Sequence, residues 1–468
     1  MPASRIVTFG TKRVPRQACP NRHLPRRVLM VLMNREYMNS PLMPIVLVLL
    51  LLQPLSASGS DATQETAFSY NILGLLLADA QHPARSTQNP DNAFLDLYRC
   101  SGALELRPDI FWDPPFASAV FKPRFTAAHK WWEDGMAEGK TDSESRAFVN
   151  EWRIQGKPLS YLFVSFGKEK MLWGPSFLAD PSNILFSNTE KINPKREIEG
   201  KYLAKLIFIR DNAVTVTAGS ETQKERTVPG ETLNPLRFVK TDLMGGNYAV
   251  SLVGYHRRND RFRLGSYGQW TASDAMVLYY DGLVTRGTEV LYPREDAGPL
   301  SGAFISKYED SRRIFTTATT GGSYTFLSGS TLSLEFLYNG QGYGDAEAAG
   351  YYRLRRSAND HFFDEGPVSG LAKKTLAEAF NNGLPFLRKY YLMGQFQLRE
   401  IKNVLDLVLR YLYNLEEHAG QASTILEWRI TDNIQFFNIN SAAVSHADET
   451  EFKSAVDRSC MIGIEMHL

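Results

Sequence analysis

From about position 117 to the C-terminus, apolar residues recur at every second position in short runs broken by turn-forming residues. In "RKYYLMGQFQLRE", Tyr390, Leu392, Phe396 and Leu398 share one side, with Lys389, Gln395, Gln397 and Arg399 on the other. "STLSLEFLYN" sets Leu332, Leu334, Phe336 and Tyr338 against Ser333, Glu335 and Asn339. "STILEWRIT" sets Leu426, Trp428 and Ile430 against Glu427 and Arg429. A period of two marks β-strands with one apolar and one polar face.

A soluble sandwich would share that pattern. Three features point instead to a closed membrane barrel. The runs reach about ten to thirteen residues, longer than ordinary soluble strands and suited to a tilted crossing. Aromatics, among them Trp270, Tyr338, Tyr390, Tyr411, Tyr413 and Trp428, sit near run ends as in the girdles of outer-membrane barrels. Connections alternate between tight turns ("RDNA", "GGN", "ASDA", "SGS", "EIKN", "TDN") and long loops, so the turns gather on one rim. The expected fold is all-β: a transmembrane antiparallel up-and-down β-barrel of about 16 strands (14–18). A short helix, "GLAKKTLAEAFNNG", is expected at 370–383 in the longest outer loop.

Three regions are expected. Residues 1–58 read as a basic leader and secretory signal peptide, from Arg26, Arg27 and Arg35, the apolar block at 45–52 and the small-residue exit at Ser56, Ala57 and Ser58. Residues 59–116 read as an N-terminal periplasmic extension, a plug or a first partial strand, and 117–468 as the barrel.

Alternation places Lys122, Arg124, Glu151, Arg153, Lys205, Arg261 and Arg263 inside the cylinder. It places Glu335, Arg399, Asp406, Arg410, Glu427, Arg429 and Glu465 there too. Inward side chains set lumen selectivity, and interleaved arginines and carboxylates suit anionic or polyhydroxyl solutes. Charge pairs holding the wall together account for the same residues.

One stretch interrupts the meander. "SFGKEKMLWGPSFLADPSN", at 165–183, starts as a strand and stops at Trp173, Gly174 and Pro175. Trp173 is expected at the lipid–water boundary, with Gly174 and Pro175 ending the ladder. The following loop, with Pro181 and Asn183, either folds into the lumen as a constriction or caps the rim.

Two segments, "LFVSFGKEKMLWG…DPSN" and "LEFLYNGQGY", resemble stretches of porin-like Gram-negative outer-membrane barrels related to alginate-export-type and similar uncharacterised barrels. Lys168 and Glu169 stand where that pattern has arginine and glutamine. In "CMIGIEMHL", Ile464, Met466 and Leu468 alternate outward and resemble the end signal read by the barrel-assembly machinery, with Leu468 in place of the usual phenylalanine. The resemblance implies an outer-membrane channel for passive passage of small hydrophilic solutes. The alternative is a polysaccharide-export or structural barrel acting with periplasmic partners. Outer-membrane lipid is the expected surround, and trimers are common for barrels of this size.

Composition adds exclusions. A net charge of +1 gives no single-sign field for nucleic acid. The three cysteines form no metal-ligand cluster, and pairing of Cys100 with Cys460 stays open. No GxSxG occurs and the eight histidines are scattered, so neither an enzyme nor a cofactor is expected. "HFFDEG" at 361–366 reads as a solvated loop rather than a metal site.

Overall fold

In the computed structural model, the period-two runs become strands of one sheet. It describes residues 68–186, 191, 193–211, 213–223, 235–257, 262–294, 303–309, 312–447 and 449–468. The expected leader at 1–58 lies outside the described residues.

The first strands are β1 (Phe68–Pro83), β2 (Cys100–Trp112), β3 (Ala117–Trp131), β4 (Thr141–Leu159), β5 (Leu162–Glu169) and β6 (Lys201–Arg210). Then come β7 (Val214–Glu221), β8 (Arg237–Met244), β9 (Tyr248–His256), β10 (Arg263–Ser273) and β11 (Met276–Arg286). A small hairpin, β12 (Tyr292–Pro293) and β13 (Phe304–Ile305), precedes β14 (Ile314–Thr325) and β15 (Thr331–Asn339). Helices α1 (Asp345–Asp360) and α2 (Pro367–Phe380) follow, before β16 (Tyr390–Ile401) and β17 (Leu405–Asn414). The chain ends in β18 (Ala419–Thr431), β19 (Ile434–Val444) and β20 (Val456–His467).

Eighteen strands form the large sheet, all pairs antiparallel between chain neighbours, with the hairpin apart. β1 pairs β20, Leu75 opposite Glu465 and Ala80 opposite Cys460, which closes the cylinder and leaves no edge. The count falls at the top of the expected range. The two added strands are β1 and β2, so the barrel begins at Phe68 and not near 117. The stretch expected as an extension or plug supplies wall instead.

Alternation works as the sequence implied. Leu206, Val239, Leu252, Leu334 and Ile462 stand 43–59% exposed on the outer surface, while their strand neighbours are covered. An outward apolar band with a polar interior is the arrangement of membrane-spanning barrels. No helix of the described residues is long and apolar enough to cross a membrane. Ile462, Ile464 and Met466 alternate with Met461 and Glu465 along β20, and Leu468 lies just past the strand end.

Tight turns share one rim with the start of β1 and the end of β20, and long connections share the other. Positive φ at Asp211, Lys402 and Asn403 (50°, 51° and 61°) gives those turns the backbone that matches strand twist. On the loop rim, α2 lies where one helix was expected, and α1 is a second. Tyr343, Tyr351, Leu354 and Ala379 pack with Tyr292 and Phe304 of the hairpin, so the helices have their own small core.

Candidate functional site

After β5 the chain turns inward rather than leaving the rim. Trp173 is 8% exposed and packs with Phe238, Val253 and Tyr255 of β8 and β9, together with Leu185 and Phe186 of its own segment. The expectation of a boundary tryptophan is therefore corrected: this ring is a lumenal anchor. Gly174 makes the turn possible, with φ at 98°. A Cβ there would lie 2.2 Å from Asp180 Oδ1 and 2.6 Å from Asp281 Oδ2. Only glycine satisfies both the backbone and the space.

The described residues of 170–200 are then tied to strands on every side. Glu335 of β15 accepts the backbone N–H groups of Phe177 and Leu178, each at 2.7 Å, and the Tyr279 hydroxyl at 2.8 Å. Asp281 of β11 accepts the Ser182 N–H at 2.6 Å and its hydroxyl at 2.8 Å. Tyr255 of β9 donates to the Ser182 carbonyl, and Thr319 of β14 to that of Ala179. Across the lumen, Arg410 of β17 donates to the Lys191 carbonyl at 3.2 Å. Lys195 bridges Glu427 of β18 at 2.6 Å and Glu465 of β20 at 2.8 Å. Arg124 of β3, 3% exposed, grips Glu197, and Arg107 of β2 donates to the Lys195 carbonyl at 2.8 Å.

Hydrogen bonds to charged groups are worth about 1.5–3 kcal/mol each, and a buried ion left without its partner costs more. A segment held by several such contacts is a fixed wall element. Within it, Lys191 Nζ bonds Asp180 Oδ2 at 2.8 Å, and Ser176 N–H bonds Asp180 Oδ1 at 3.1 Å. Burial lifts the Asp180 carboxyl to about 6, against the pull of Lys191. Burial would lift Glu197 too, but the Arg124 guanidinium bonded to it, with Arg107 nearby, brings it below its ordinary value. Asn183 folds the segment on itself, accepting from Phe186 N–H and donating to the Met171 carbonyl, both at 3.1 Å. Pro175 and Pro181 lie partly covered along the same run.

The expected lumenal residues thus divide. Arg124, Glu335, Arg410, Glu427 and Glu465 hold the inserted segment. Lys122 pairs with Glu151 at 3.0 Å, while Glu169 takes Lys205 at 2.9 Å and Arg153 at 3.9 Å, all within the wall. Arg263 meets Glu289 at 3.4 Å on the loop rim. Asp406 and Arg429 bond turn backbone on the opposite rim, at Glu400 N–H and the Asn403 carbonyl, and Arg399 reaches the Gln397 amide there. Arg261 lies outside the described residues. Alternation missed Asp281, Arg107 and the segment's own Asp180, Lys191, Lys195 and Glu197. The signal for the last three was the charge density of "KINPKREIEG", unusual for a loop that only caps a rim; Asp180 lies outside that run.

No family model matches the sequence, and no curated protein matches it. Solved structures share its fold. OccAB1 of Acinetobacter baumannii gives a TM-score of 0.51 at 11% identity, over 88% of this chain and 99% of that one. OprD of Pseudomonas aeruginosa gives 0.46 at 13% identity, over 88% and 97%. OccK11 (OpdR) of the same organism gives 0.49 at 10%, over 86% and 96%. The first of these carries the likeness, and at that identity it concerns fold alone. It agrees with the closed barrel and gives no support to the narrower tie with alginate-export-type barrels.

Proposed function

We propose that this chain is an outer-membrane, porin-like channel through which small hydrophilic solutes pass passively, with residues 170–200 as its constriction. The observation that carries the reading is the inserted segment, clamped to both sides of a closed eighteen-stranded cylinder. A barrel of that size leaves an aqueous lumen unless something fills it. A segment held by charged side chains narrows the lumen to a defined bore and keeps the wall polar. The fold shared with OccAB1 over nearly the whole length of both chains adds to the reading.

The anionic preference expected from the arginines weakens, because the lumenal cations described above have carboxylate or carbonyl partners. Size and hydrogen bonding then sort solutes more than net charge does. A polymer exporter needs a bore open along its length, which the inserted segment opposes. Lipid around the apolar band, delivery through the barrel-assembly machinery by the end of β20, a removed leader and a homotrimer complete the proposal.

Swelling of proteoliposomes in sugars of graded size tests it. Rates should fall smoothly from a pentose to a trisaccharide. Liposomes that stay shut to every sugar would contradict passive passage and favour a partner-gated exporter.

A further inference from the structure

We propose that the outer vestibule, above the inserted segment, is a binding site for a neutral polyhydroxyl solute of mono- to disaccharide size; this deepens the channel reading and rests on it. A cavity of about 660 Å³ lies there, within the range of small-molecule sites. Its floor is formed from within residues 178–184, its roof by the end of α2 and the chain after it at 379–387, and its sides include Gln421 of β18 and Glu451 before β20.

Charge argues against an ionic guest. Among the described residues, no lysine or arginine lines the cavity, so a solute carboxylate finds no cation on its wall. Asp180 already has Lys191. Burial, with the Glu417 charge beside it, pushes Glu451 up to about 8, so it keeps its proton near neutrality and offers an ammonium nothing. Its carboxyl is already engaged by Tyr391 O–H, Leu387 N–H and the Asn414 amide.

Two amides argue for hydroxyl groups. Gln88, 1% exposed, spends its N–H on the Leu376 carbonyl at 2.9 Å, and its Oε1 has no partner. Buried amide oxygens are rarely left so, and Gln88 is one of the residues lining the cavity. The Gln421 side chain also lines it and, among the described residues, makes no hydrogen bond, leaving a donor and an acceptor. A hydroxyl both donates and accepts, so a polyol matches the free acceptor of Gln88 and the donor and acceptor of Gln421. Phe380, Phe386 and Phe452 supply flat apolar surface beside them, suited to the C–H face of a sugar ring.

The test is current block in planar bilayers, with sucrose, gluconate or choline added to the loop-rim side. Sucrose should give saturable interruptions of the open current, while gluconate and choline should give none at the same concentration. Gln88→Leu and Gln421→Leu should each raise the apparent dissociation constant for sucrose roughly tenfold. Heat-modifiable migration first shows that each variant has folded; if one has not, the other carries the test. Unitary currents without saturable sucrose block, equal block by gluconate, or block unchanged in a folded variant would overturn this site and leave the channel standing. No unitary current at all would overturn both.

Discussion

Gly174 shows how much a single residue decides. With φ at 98° and carboxylate oxygen 2.2 Å from any added Cβ, Gly174→Ala should displace the segment it introduces. The strain is of the order of 1–3 kcal/mol, enough to loosen the segment without unfolding the barrel. Limited proteolysis of proteoliposomes should show faster cleavage within 170–200, with the barrel core intact. Asp180 carries a pH dependence of stated sign. Its folded value, about 6, exceeds the ordinary carboxylate value near ~3.9. Proton binding therefore favours the folded segment: this contribution is complete below the ordinary value and is lost as pH rises through 6. Below pH 6 the neutral Asp180 leaves Lys191 without its nearest counter-charge, Glu335 and Asp281 standing farther off. Anion selectivity, read from reversal potentials, should rise on acidification with a midpoint near 6, and Asp180→Asn should remove the step. Trp173 was misplaced by sequence for a physical reason. A tryptophan before Gly-Pro looks the same whether the chain turns toward lipid or lumen, and the groups that decide, Glu335 and Asp281, lie far along the chain.

The elements were legible wherever one face met water and the other hydrocarbon. Sixteen of the wall strands show that alternation, and all were located. β1 and β2 escaped because their faces blur. In β1, Leu75 is fully covered inside while its neighbour Leu76 is 53% exposed outside, so apolar residues run on without a break. In β2, Pro108 interrupts the pattern, and donor-less proline argues against a strand when read alone. α1 escaped because its sequence, "DAEAAGYYRLRRSAND", is largely polar and buries only a short stripe against the hairpin and α2. The wall register also settles the cysteines. Cys100 and Cys460 stand opposite Ala80 from either side of β1, two strand spacings apart, about 10 Å. A disulfide needs Cα atoms within about 7 Å. Oxidised and reduced protein should therefore migrate alike, and a maleimide should label both residues after denaturation. A band that shifts on reduction would contradict the register at the seam.

At the scale of the whole molecule, closure between β1 and β20 makes the described wall one cylinder, and the inserted segment, on the function proposed above, gives it a limited bore. The first was readable from period, parity of turns and loops, and the last strand. The second was open in the sequence, because a long loop beside Gly-Pro fits inside or outside equally well until the strand carboxylates find it. The central claim is that Glu335 and Asp281 hold this segment across the lumen. Single-channel conductance of the wild type against Glu335→Gln with Asp281→Asn tests it most directly. Small, uniform steps should give way to larger and noisier ones as the clamped backbone N–H groups lose their carboxyl acceptors. Steps of the same size and steadiness in both proteins would contradict it.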